Sequence, residues 1–524
     1  MTQHTAFSET LLGLALGGGL ALGGLVAAAP ALAAPDAEAL FAEHCASCHA
    51  PSRLGGTGPA LIPETLGRML GPKLEEVIAN GRPATQMEGF SAKLSVEDIT
   101  ALAGYLATPL AEAPVWSVED ANASRMLRDD YHPAAAPVFS GDPMNITIVV
   151  EAGSHHISVI DGDTFTVIDR FETPFAVHGG PKFSPDGRFV YVMSRDGWVQ
   201  KYDLWSLQEV GRVRAGLNSR NIALSGDGKW IAVANYLPQT LSLLSADDLS
   251  VIEVLNVTSG GLASRVSAVY QAPPRESFVL ALKDIPEVWE VFYGANPPAT
   301  GFVHDFRTEP PVKGESRFPI RRIAVSDIMD DFFFDGSYTQ MIGASRDGTR
   351  GLVLDLDIGK EVAEVALPGM PHLGSGITWN WQGREVLVTP HLKEGVISVI
   401  DMDSWQTVKR IPMAGPGFFM RSHSATPFAL ADVFFGPHRD EMAVIDKASL
   451  EIVRTLKPEP GKLFAHAEYS RDGRFVYTSL MEDEGAIIIY DAASFAEIKR
   501  LPMRKPIGKY NVWNKITFDA GTSH

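Results

Sequence analysis

Ser184-Pro185-Asp186-Gly187-Arg188-Phe189-Val190-Tyr191-Val192 returns twice along the chain. It comes back as Ser225-Gly226-Asp227-Gly228-Lys229-Trp230-Ile231-Ala232-Val233, and as Ser470-Arg471-Asp472-Gly473-Arg474-Phe475-Val476-Tyr477-Thr478. In each copy Asp-Gly supplies a turn and the apolar residues after it read as a half-buried strand. A second element follows each turn: a strand ending in Asp, a turn, and another strand. Asp161, Asp203 and Ser245 are spaced 42 residues apart. Asp355, Asp401, Asp446 and Asp491 follow at 46, 45 and 45. The gap from Ser245 to Asp355 has room for one more unit near Trp289 and an insertion. Units of short strands at this period fit the four-stranded blades of a β-propeller. The expectation is eight blades over residues 141–524.

Upstream of these repeats the texture is helical. Residues 35–112 predict a small all-α domain: a helix from Asp36 to Cys45, one or two between Pro63 and Ala79, and one from an N-cap at Ser95 to Leu106. Pro109 and Pro114 stop the last helix. Residues 113–140 read as a linker with at most one helix. The fold class is therefore multidomain, an all-α domain followed by an all-β eight-bladed propeller.

Residues 1–34 are of a third kind. Leu11 to Ala29 is apolar, and Ala31-Leu32-Ala33 is a small-x-small cleavage site, so a signal peptide is expected. Residues 1–10 carry no Lys or Arg, which departs from the usual export pattern. Cleavage near Ala33 or Ala34 would leave a periplasmic protein with no stable membrane span. The net charge of −18 argues against nucleic acid as a partner.

The chain has two cysteines, in Cys45-Ala46-Ser47-Cys48-His49. C-x-x-C-H is the attachment pattern of a c-type haem. The two thiols hold the porphyrin and His49 ligates the iron. A thioether on the other face would raise the potential. Met87, in a loop before the last helix, is the expected sixth ligand. Met69 competes, but it lies in an apolar helical pattern that suits core packing. The helical block thus reads as a cytochrome c domain with one covalent haem c.

A cytochrome domain moves single electrons and leaves a large propeller unexplained. Three propeller histidines lie in local sequences suited to a site: Val177-His178-Gly179-Gly180, Pro371-His372-Leu373-Gly374 and Ala465-His466-Ala467-Glu468. Each is expected just before a blade strand, where loops line one propeller face. Ordinary packing is the competing reading for each. The other propeller histidines, His304 and His524 among them, are expected on solvated loops or strands.

With these residues in view, the chain resembles cytochrome cd1 nitrite reductase and its paralogues over nearly all its mature length. Ala176-Val177-His178 resembles the segment carrying the proximal ligand of haem d1. Arg195-Asp196-Gly197 through Trp205 resembles the strand after it, and Lys509 to Asn514 resembles the closing strand. The resemblance breaks at Phe333-Phe334-Asp335-Gly336, where the reductases have a histidine that protonates nitrite; phenylalanine cannot donate a proton. His372 matches their second distal histidine, and His466 is additional. That pattern is similar to the NirN-type dihydro-haem d1 dehydrogenases.

The resemblance implies an oxidoreductase of haem d1 biosynthesis that converts a propionate of dihydro-haem d1 to acrylate. It implies His178 as proximal iron ligand and His372 and His466 as distal ligand and acid/base, with their roles exchangeable. Arg195, Arg220 and Arg265 are expected to meet the tetrapyrrole carboxylates. A soluble periplasmic electron acceptor is implied, with cytochrome cd1 nitrite reductase as a possible recipient of product. A divergent nitrite reductase and a non-catalytic haem d1 carrier or assembly factor are the competing readings.

Overall fold

The computed structural model describes residues 35–56, 58–82, 87–295 and 316–523. The expected signal peptide over 1–34, Gln86, His304, the insertion over 296–315 and His524 lie outside the described residues.

The cytochrome domain opens with the helix Ala37–His44, capped by Asp36, and continues through Ala46–His49. The Pro63–Ala79 region forms two short helices, Pro63–Leu66 and Pro72–Asn80. Gly71 between them has φ 77, which a residue with Cβ resists. Helix Val96–Leu106 starts in a capping box: Asp98 N–H donates to Ser95 Oγ at 3.1 Å and Ser95 N–H to the Asp98 carboxylate at 3.0 Å. Phe41, Leu74, Ile78, Phe90 and Leu102 form the core, with Cys45 and Met87 packed against it.

Residues 113–140 lie along the propeller. Helix Val118–Ala123 buries Ala121 in the core of the second and third blades. Met126–Leu127 pairs with Gln208–Arg214 as an extra outer strand. Tyr131 O–H donates to Asp203 at 2.8 Å.

Eight four-stranded antiparallel blades follow. Trp289 sits, fully buried, on the third strand of the fourth blade. The repeated residues have a shared physical role. Ser184, Ser225 and Ser470 each donate O–H to the Asp two positions on, and the glycines after those Asp residues have φ of 71–73. Where a third strand ends in Asp, that residue caps the next turn: Asp203 accepts from Trp205 N–H, and Asp401 from Asp403 and Ser404 N–H. The ring closes in the first blade, where Pro506–Asn511 pairs with Thr147–Glu151 and sets Asn511 opposite Thr147. The closing strand is shorter than its sequence suggests, because Val512–Thr517 turns into a helix capped by Asn511.

Candidate functional site

Two arrangements stand out, one in each domain. In the first, Cys45 follows the end of one helix and Cys48-His49 sits in the next turn. Burial pushes the Cys45 thiol up to about 11. His49 is buried, and its Nδ1 lies 2.8 Å from the carbonyl of Pro59. Donation from Nδ1 leaves the Nε2 lone pair for a metal, the usual arrangement for a ligating histidine. Gly58 makes room for it: a Cβ there would stand 2.6 Å from the ring. These residues fit a covalent haem c. Arg82 contacts both candidate methionines, one through its backbone and one through its sulfur. Its N–H donates to the Met87 carbonyl at 2.9 Å, while its Nη2 donates to Met69 Sδ at 2.6 Å. Met69 is therefore engaged by a cation.

The second arrangement surrounds one mouth of the propeller channel. His178 precedes the innermost strand of the second blade. Its Nδ1 is 2.8 Å from the Arg220 carbonyl. Its Nε2 is met by Arg220 Nη1 at 2.6 Å and Arg195 Nη2 at 3.1 Å. Burial and the two guanidiniums hold His178 down at about 3, so it is neutral with a lone pair on Nε2. That is the state an iron ligand requires.

His372 opens the short turn before the sixth blade. Its Nδ1 is 2.8 Å from the Phe418 carbonyl, and its ring packs 4.3 Å from that of Phe418. Desolvation lowers it, while the Asp331 carboxylate favours its protonated form. Asp331 is fixed by Tyr270 O–H at 3.0 Å and Gly374 N–H at 2.6 Å.

His466 differs from the sequence expectation in placement. It lies within the strand Phe464–Tyr469, not before it. A β-bulge between Ala465 and Ala467 takes it out of the ladder at φ 53, and such bulges re-aim side chains. Its ring packs 4.6 Å from Phe419 and 5.7 Å from Tyr510. Burial, then Lys509, Arg421 and Lys515, keep it well below the ordinary value.

One chain of contacts joins the three. Phe419 packs against both His372 and His466, and Tyr510 links His466 to Gly180 beside His178. Arg220 acts electrostatically on both His178 and His372. Arg195 and Arg220 are therefore at the site. Arg265 stands further along the rim, where Asp284 holds its guanidinium through two hydrogen bonds of 2.8 and 2.6 Å. The structure sets Phe334 in the apolar interior of the fourth and fifth blades, against Phe332 and Tyr338. The polar group that its strand aims at His372 is Asp331.

Sequence reasoning missed the buried charges beneath the histidines. Asp432 accepts N–H from Phe418, Phe419 and His466, and burial pushes its carboxyl up to about 6. Lys509 Nζ lies 3.4 Å from His466 Nδ1 and donates to Ser479 at 2.7 Å. Arg421 pairs with Glu468 at 3.0 Å in the interior. The signal available was polar residues within apolar strands, since buried charges are retained where they have work to do.

Comparison with known proteins meets this geometry. Residues 141–515 match the cytochrome D1 heme domain model, and residues 32–106 match that of cbb3-type cytochrome c oxidase subunit III. The chain belongs to the cytochrome D1 heme domain family and, within it, groups with the dihydro-heme d1 dehydrogenases. It is 49% identical to a Pseudomonas aeruginosa protein of that name, over 98% of this chain and 100% of the relative. A solved structure described as the dihydro-heme d1 dehydrogenase NirN in complex with DHE aligns with TM-score 0.84. That alignment has 49% identity and covers 92% of this chain and 99% of that one. Nitrite reductase of Stutzerimonas stutzeri is 28% identical over 97% of each chain.

Proposed function

We propose that this chain oxidises a propionate side chain of dihydro-haem d1 to acrylate. The observation that carries the reading is three neutral imidazoles and two guanidiniums around one channel mouth, in a chain that also bears Cys45-Ala46-Ser47-Cys48-His49. Turning CH₂–CH₂ into CH=CH releases two protons and two electrons. Cys45, Cys48, His49 and Met87 would hold haem c, which would supply one-electron redox chemistry. Both electrons pass on, singly, to a soluble periplasmic one-electron acceptor.

The protein's own residues divide the remaining work by their electrostatics. His178 offers Nε2 to the tetrapyrrole iron, while Arg195 and Arg220 turn to its carboxylates; Arg265 serves at the rim. His372 takes one of the two protons, because the Asp331 carboxylate stabilises the imidazolium that forms, and the other passes to solvent. His466 faces three cations, which disfavour a second positive charge and suit a neutral distal ligand. Residues 1–34 direct export, and the product passes to cytochrome cd1 nitrite reductase.

The test mixes the haem c-loaded protein with dihydro-haem d1 and follows its absorption. Conversion with matching reduction of haem c is expected. Binding without conversion would mark a carrier, and nitrite turnover at a reductase's rate would replace the reading altogether.

A further inference from the structure

Arg214 ends the strand Gln208–Arg214 and is 2% exposed. Burying a guanidinium is costly unless its donors are used. Its counter-charge is the buried carboxyl of Asp196, which hydrogen-bonds Ser194 instead. Arg214 directs Nε and Nη1 at two backbones, while its buried Nη2 has no hydrogen-bond partner among the described residues. Nη1 donates to the Leu54 carbonyl at 2.8 Å, and Nε to the Asp196 carbonyl at 2.9 Å. Its guanidinium lies 5.3 Å from the ring of Trp116, whose Nε1–H donates back to the Arg214 carbonyl at 2.8 Å.

The two carbonyls belong to the two sites. Leu54 precedes Gly55, whose N–H donates to the His49 carbonyl at 3.0 Å. Asp196 follows Arg195, which reaches His178 Nε2. One side chain thus joins the loop of the haem c ligand to the loop beside the tetrapyrrole ligand. Gly55 has φ 87, and a Cβ there would stand 2.8 Å from Arg214 Nη2, so the loop presents bare backbone to the guanidinium. A separate contact also runs between the two domains: the Arg82 guanidinium lies 5.5 Å from the ring of Phe175, three residues before His178.

We propose that Arg214 is a positioning residue that fixes the gap between the His49 loop and the His178 side of the tetrapyrrole pocket, and so sets how fast electrons leave the substrate. Electron transfer falls exponentially with the gap between centres, so a loosened interface slows it while both binding sites stay intact. Lysine has no planar fork with which to span two carbonyls. The inference rests on the proposed function.

The experiment uses full-length, haem c-loaded Arg214→Met and Arg214→Lys. Dihydro-haem d1 affinity, read by titration, should stay within about twofold. Haem c reduction after mixing should slow about tenfold or more, because a misplacement of about 1 Å is costly to a reacting geometry. Reduction by ascorbate should be unchanged. Hydrogen exchange should quicken together at residues 53–58 and 195–197. Wild-type reduction rates with unchanged exchange would overturn the role of Arg214. A wild-type protein that binds the substrate and leaves haem c oxidised would overturn the proposed function instead. Arg214→Lys, which keeps the charge and loses the fork, decides the matter if Arg214→Met does not fold.

Discussion

Arg220 meets His178 at both ring nitrogens, its carbonyl at Nδ1 and its guanidinium at Nε2. The carbonyl fixes the tautomer, and the guanidinium holds the place an iron would take. His178→Ala should therefore weaken tetrapyrrole binding by about ten- to a hundredfold and remove the spectrum of a histidine-ligated d1-type iron. Arg220→Gln should weaken binding while keeping that spectrum. Titration of each variant by absorption separates the two effects.

His372 has a carboxylate behind it and His466 has cations around it. His372→Gln should slow conversion about a hundredfold, the lower end of a general base's contribution, with affinity little changed. His466→Ala should still bind the tetrapyrrole, convert it slowly and alter the spectrum of its iron. If His466→Ala left both spectrum and rate untouched, the division of roles would fall.

Met87 packs on the cytochrome core beside Cys45, whereas the sulfur of Met69 is taken by Arg82. Met87→Ala should lower the midpoint potential of haem c, because the thioether favours the reduced iron. Met69→Leu should shift it less. Redox titration of the two variants measures the difference.

Burial depresses His178 to about 3 and His391 to about 4, against an ordinary value of 6.5. Between these values the unfolded chain binds protons that the folded chain refuses. Stability therefore rises with pH through this window and is lost as pH falls below about 6.5. The tetrapyrrole-free protein should show a Tm several degrees lower at pH 5 than at pH 7. His391→Gln, which removes one refused proton, should flatten that slope. A Tm independent of pH over this range would show that these rings are not held neutral by the fold.

The blades were legible because many of them repeat a small local device, Asp-Gly after Ser or an Asp that caps the next turn. Such devices work through residues two to five positions apart, which a single sequence displays. Cys45, Cys48 and His49 were legible for the same reason. His466 was readable as a residue and not as a position, because a bulge is a mismatch between two strands and leaves no mark on one. Asp331, Asp432 and Lys509 reach the site from three different strands, and their meaning depends on neighbours far along the chain. Phe334 was read in line with a reductase histidine; it lies in the blade interior against Phe332, while the Asp331 carboxylate acts on His372.

The joint between Pro506–Asn511 and Thr147–Glu151 has a consequence for the order of maturation. The cytochrome core draws on residues between Phe41 and Leu106 and is complete early in synthesis. The tetrapyrrole pocket needs His178 from near the start of the ring and His466, Lys509 and Tyr510 from its end. It cannot exist until the last strand has docked. A newly made chain can thus be fitted with its electron outlet before it is able to capture a substrate.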